Sequence, residues 1–184
     1  MRDWESLPRR RSVRLKGYDY AGPGSIFFTM CTEGRVLRFG EVRDKVMCLN
    51  VQGEIVQAEW HETLRIRSAI VAHAFVIMPN HFHGLITIDP DRSAQAAPMP
   101  DSGEPIALHA HKRPRSMSTL ATGFKGAVSK TSARAGFVSG DDLWQRSFHE
   151  HVVRDQQAFE TIKRYIETNP GKWEEDTFYV AAPG

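Results

Sequence analysis

Between Val71 and Ile88 the chain reads VAHAFVIMPNHFHGLITI. Two runs of aliphatic, β-branched and aromatic residues are separated by Pro79 and Asn80 alone. So short a connection between two extended segments leaves one arrangement, an antiparallel hairpin. Both runs are apolar enough to read as buried strands. Its second strand starts with two imidazoles, His81 and His83, which share one face because successive strand side chains alternate.

The flanking sequence frames this hairpin. SIFFTMCT (25–32) reads as a first, central strand. RVLRFGEV and KVMCLN are short strand candidates for a side hairpin. The apolar spacing after them predicts a helix from about Val56 to Ser68. After the hairpin, a Pro-, Ser- and Ala-rich stretch reads as a mobile insertion at about 89–117. A second helix is predicted from STLATGFKGAVSKTSARAG, with Ser118 as its N-cap and an end near Gly136. LWQRSFHEHVV is a fourth strand. DQQAFETIKRYIETN is a third helix, capped by Asp155, with Phe159, Ile162 and Ile166 as its buried stripe. It should stop at Asn169, because the residue before a proline is pushed out of the α region. The order β-α-β-β-α-β, then a helix, predicts an α+β fold of the ferredoxin-like split βαβ kind: a central antiparallel sheet, helices on one face, and a C-terminal helix carrying Tyr165. A basic arm (1–20) precedes a single domain (21–184).

Charge is small in sum, +2, but unevenly placed. Arg9, Arg10, Arg11, Arg14 and Lys16 stand in eight residues without an acid. From Pro105 to Gly140 there is again no acid, and Lys125 and Lys130 lie on the predicted second helix. Such asymmetry suits a polyanionic partner. These seven cations are the candidate phosphate contacts. Trp144 and Trp173 are candidates for base stacking, with core packing the stronger expectation. No segment is long and apolar enough to span a bilayer, and the polar N-terminus lacks the apolar stretch of a signal peptide. A cytoplasmic, nucleoid-associated protein is expected. Cys31 and Cys48 are then expected to be buried free thiols.

The candidate chemistry lies in three places. His81 and His83, roughly 7 Å apart at Cα, can hold one metal ion between them. Tyr165 and Asn169 are four residues apart on a helix and share a face. A phenol there can act as nucleophile and an amide oxygen as a third ligand. The third place is a second H-x-H, His149-Glu150-His151. Its spacing makes it a rival metal pair, with Glu150 on the opposite strand face.

Taken together and in order, MPNHFHGL, LWQRSFHEHVVRD and RYIETNPGKW resemble the REP-associated tyrosine transposases, single-tyrosine enzymes of the HUH nuclease superfamily. The opening RRRSVRLKGYDYAGPGSIFFTMCT is similar too, so the likeness spans the chain apart from the insertion and the last residues. It implies cleavage and rejoining of single-stranded or hairpin DNA through a 5′-phosphotyrosine. Tyr165 would be the nucleophile. His81, His83 and Asn169 would hold a divalent metal, Mg²⁺ or Mn²⁺. His149 and His151 become candidates for orienting DNA or supporting the site from behind. The protein would act as a monomer or homodimer. A module of the same fold that binds structured single strands without turnover is the alternative.

Overall fold

In the computed structural model, which describes residues 24–89, 116–137 and 143–181, the hairpin is the middle of the molecule. Strand β4 (Ile70–Met78) and strand β5 (His81–Ile88) pair from Met78↔His81 outward across the Pro79-Asn80 turn. Strand β1 (Gly24–Cys31) lies on the other side of β5, from Cys31↔His81 to Gly24↔Ile88. Strand β6 (His149–Val153) closes the sheet as the edge neighbour of β1, giving the antiparallel order β4-β5-β1-β6. A small separate sheet pairs β2 (Gly40–Arg43) with β3 (Val46–Leu49). Helix α1 (Val51–Ile66) precedes β4, and helix α2 (Met117–Arg134) follows β5 in the described chain. β1 and β4 therefore run parallel with β5 between them, the split βαβ topology.

Strand alternation sorts the side chains onto two faces. Phe28, Phe75 and Phe82 project toward α1 and α2, where Trp60 and Phe124 meet them. Ring centroids there lie 5.0 Å (Trp60–Phe82), 5.3 Å (Phe82–Phe124) and 5.4 Å (Trp60–Phe124) apart. Each such pair adds about 0.5–1.5 kcal/mol to the area it buries. Gly84 makes room for this cluster: a Cβ there would sit 2.4 Å from the Phe28 ring. Helix α3 (Gln156–Thr168) covers the opposite face, with Ile166 buried and Phe159 edge-on to His73 at 4.9 Å. It continues into a 3-10 segment, Asn169–Glu175.

Several local expectations are corrected. α1 starts at Val51, five residues earlier than its apolar spacing suggests, because Asn50 caps it by accepting the Gly53 N–H at 2.9 Å. It ends at Ile66, short of Ser68. α2 is capped by Ser116 rather than Ser118; Met117, wholly buried, draws the first turn into the core. The fourth strand covers only His149–Val153, since Leu143 and Trp144 pack inside and Trp144 makes just a bridge to Thr32. RVLRFGEV becomes a strand only from Gly40, as Phe39 is fully buried. Both thiols are free, Cys31 buried but Cys48 exposed, because the β2–β3 hairpin stands off the main sheet. The third helix starts after its Asp155 cap and ends at Thr168, but Asn169 is not pushed out of the α region by Pro170: it keeps φ −56° and ψ −45° and leads into the 3-10 segment. The basic arm, with Arg9, Arg10, Arg11, Arg14 and Lys16, and the insertion from 90 to 115 lie outside the described residues.

Candidate active site

The face of the sheet under α3 gathers the polar groups. His81 and His83 are 0% and 1% exposed, with ring centroids 4.4 Å apart. Each has its Nδ1 occupied. His81 Nδ1 donates to Asn80 Oδ1 at 2.9 Å, and His83 Nδ1 lies 2.7 Å from Thr29 Oγ1. His81 Nε2 is thereby left with its lone pair facing inward. Burial pushes the His81 imidazole down to about 3, with the Arg35 charge adding to it. Burial also holds His83 well below the usual histidine range, with His81 lowering it further and Asp176 opposing. Both rings are neutral at pH 7, the form that donates a lone pair.

Tyr165 hangs from α3 over this pair. Its hydroxyl is 3.2 Å from His83 Nε2 and donates to Asp176 Oδ2 at 3.3 Å. Asn169, 2% exposed, donates its Nδ2 to the same carboxylate oxygen at 2.9 Å. Burial, followed by the Asp176 charge, raises the phenol to about 12. The ring packs edge-on to Phe27 at 6.2 Å, yet the residue stays 40% exposed, so a bulky substrate can reach it.

Asp176 is the residue that sequence reasoning missed. It follows the 3-10 segment, which folds back beneath α3 and sets the carboxylate 4.0 Å from His81 Nε2. The Phe178 N–H fixes its other oxygen at 2.7 Å. In the sequence it belongs to the acidic run WEED and looks like a solvated C-terminal charge. Its spacing of eleven from Tyr165 is a helical one, but the helix is expected to stop before Pro170, so the spacing carries no reading there.

These residues fit a divalent cation. One ligand atom from each of His81, His83 and Asp176 lies within 4.8 Å of the others. His81 Nε2 and Asn169 Oδ1 are buried without a hydrogen-bond partner. Such orphan acceptors are costly unless something occupies them. Two imidazoles with carboxylate and amide oxygens suit a divalent metal ion.

No protein-family model matches the chain. A Haemophilus influenzae protein of uncharacterised function is 32% identical over 179 residues, 95% of each chain. The chain belongs to one family with that protein. Among solved structures, a REP-associated tyrosine transposase bound to a REP hairpin superposes with a TM-score of 0.52. That match covers 90% of this chain and 74% of the other, at 20% identity. The chain has the REP-associated tyrosine transposase fold.

On this transposase fold the remaining candidates separate. Lys125 and Lys130 both line a groove of about 880 Å³ between α2 and residues 144–146. Lys130 is exposed there. The Lys125 ammonium instead donates to the Gln145 and Ser147 carbonyls, at 2.7 and 3.0 Å. Trp144 and Trp173 are buried, against Phe39 and His81 respectively. His149 and His151 lie on the α3 face but are exposed. The side chains that hold the His81 and His83 rings are those of Asn80 and Thr29. Among the described residues, no helix is long and apolar enough to cross a membrane.

Proposed function

We propose that the protein is a metal-dependent endonuclease and strand transferase for single-stranded DNA, acting on REP-like hairpins through a 5′-phosphotyrosine at Tyr165. One observation carries this reading: the Tyr165 hydroxyl sits 3.2 Å from the Nε2 of a buried, neutral histidine, beside a set of donors that fits a divalent cation.

His81, His83, Asp176 and Asn169 would hold the ion. Bound Mg²⁺ or Mn²⁺ supplies charge neutralisation at the scissile phosphate. The chain supplies the rest. A phenol raised to about 12 keeps its proton at pH 7, so it needs an acceptor as it attacks. Asp176 Oδ2 accepts a hydrogen bond from it and orients it, and the proton passes to solvent on the exposed side of the phenol. The tyrosine oxygen bonds to phosphorus, and the bond from phosphorus to the 3′-oxygen breaks. The 3′-oxygen leaves and takes a proton from solvent. The phosphotyrosine conserves the ester, so a 3′-hydroxyl can displace Tyr165 and rejoin DNA without a nucleotide cofactor. Phe27 and Thr29 keep the phenol and His83 in register.

The test is incubation with labelled single-stranded hairpin DNA and Mn²⁺, followed by a denaturing gel. A protein–DNA adduct mapped to Tyr165 is expected. Binding without adduct under any divalent metal would leave a non-catalytic DNA-binding module. Cleavage without adduct would make water the nucleophile.

A further inference from the structure

The second H-x-H is left unused by this chemistry, and its place in the sheet is specific. Strand register puts His83, Thr29 and His149 in one row across β5, β1 and β6, and Leu85, Phe27 and His151 in the next. Strands lie about 4.8 Å apart, so His149 stands roughly 10 Å from His83 on the same face. α3 covers β4 and β5 but leaves this side open: Phe27 is half-buried, and His149 and His151 are exposed. Phe27 is the shared floor, 5.3 Å from the His83 ring and 6.2 Å from Tyr165. The strip therefore begins at the nucleophile and runs outward to the sheet edge.

The strip carries rings rather than charges. Arg146 lines the groove against α2, and Arg154 shares the strand parity of Glu150 and Val152. Glu150 pairs with Phe28 in the register and so points to the other face. Aromatic and imidazole rings on an open ledge match an unpaired DNA strand, whose bases offer π faces. They do not match a second metal site, because two exposed imidazoles there have no third donor grouped with them among the described residues.

We propose that Phe27, His149 and His151 form a ledge that seats the unpaired nucleotides next to the scissile phosphate. This deepens the function proposed above and rests on Tyr165 as the reacting group. The two histidines are positioning residues: they set where the strand lies, and they touch neither the nucleophile nor the metal donors.

The experiment measures binding in EDTA, where no cleavage occurs, by fluorescence anisotropy. The probes are oligodeoxythymidine and a blunt DNA hairpin, and the proteins are wild type and His149→Ala/His151→Ala. The variant should lose about tenfold or more in single-strand affinity, the scale of one lost stacked base, and keep its hairpin affinity. A 5-iodouracil-substituted strand should photocrosslink to Phe27 or to either histidine. Unchanged single-strand affinity, equal loss on both probes, or crosslinks confined to other elements would overturn the ledge. Wild-type adduct formation is scored separately. An adduct with a failed ledge leaves Tyr165 standing, and a sound ledge without an adduct removes the nucleophile alone.

Discussion

His81-Phe82-His83 and His149-Glu150-His151 share one spacing, and both project their imidazoles from the α3 face of the same sheet. The first pair is buried and pre-oriented, each Nδ1 held by a neighbour. The second is exposed, and no neighbour is seen holding its rings among the described residues. The difference comes from strand position. β5 is central, roofed by α3 and the 3-10 segment, whereas β6 is an edge strand beyond that roof. The middle residues differ too: Phe82 enters the aromatic core and Glu150 is partly buried at the sheet edge. A metal-ligand spacing is thus only an offer. Dry surroundings and a held tautomer turn it into a site.

The strongest break between the two regions is Tyr165, which stands over the first triplet. Tyr165→Phe removes one hydroxyl and keeps the ring against Phe27. Adduct formation should vanish while DNA affinity and thermal midpoint stay close to wild type, as read by gel, anisotropy and circular dichroism. An adduct in this variant would mean another nucleophile.

Next is metal affinity by calorimetry. His81→Ala/His83→Ala should bind no Mn²⁺, and cleavage should fall below detection. His149→Ala/His151→Ala should bind it within about tenfold of wild type, less than the loss expected when a direct support of a ligand goes. The reverse ranking would transfer the metal to β6.

Stability separates the middle residues. Phe82→Ala should cost about 3–5 kcal/mol, because the ring lies at 0% exposure among Phe28, Trp60, Phe75 and Phe124. Exposed His149→Ala should change it by no more than about 0.5 kcal/mol. Urea unfolding checks both, and comparable losses would contradict the layering.

The first triplet was legible in the sequence because its determinants are local. Pro79-Asn80 fixes the hairpin, strand alternation pairs the histidines, and Tyr165 and Asn169 share a helical face. The order of elements carried the topology for the same reason. The rest depends on chain closure. Asp176 reaches His81 through the 3-10 segment Asn169–Glu175, beyond the Pro170 at which the sequence predicts the helix to end. Thr29 reaches His83 through the β1–β5 register, 54 residues away in sequence. α1 starts ahead of its apolar stripe because Asn50 caps it, and α2 starts ahead of Ser118 because Ser116, of the same chemistry, accepts the Thr119 N–H instead.

The smallest expected effect concerns how β6 is anchored. Lys125 reaches from α2 to the Gln145 and Ser147 carbonyls, just before His149. Burial lowers its ammonium to about 8 from an ordinary 10.5, with Cys31 pulling the other way. Between those two values the unfolded chain binds more protons at this position than the folded chain, so this group makes stability rise with pH across that window. Burial raises the Cys31 thiol to about 11, and that group acts in the opposite sense at the alkaline end. Lys125→Met keeps the stem and Cys31 but removes the amine, so the difference between wild type and variant isolates the lysine. At neutral pH the variant should lose about 1 kcal/mol, as two carbonyls lose their donor. The stability difference in favour of wild type should then widen by an amount on the order of 1 kcal/mol up to pH 10.5, small because the amine is partly in solvent. Amide exchange should quicken in β6 and stay unchanged in β5. A stability difference that is flat with pH, or faster exchange in both strands, would show that Lys125 does not tether the second triplet on its own.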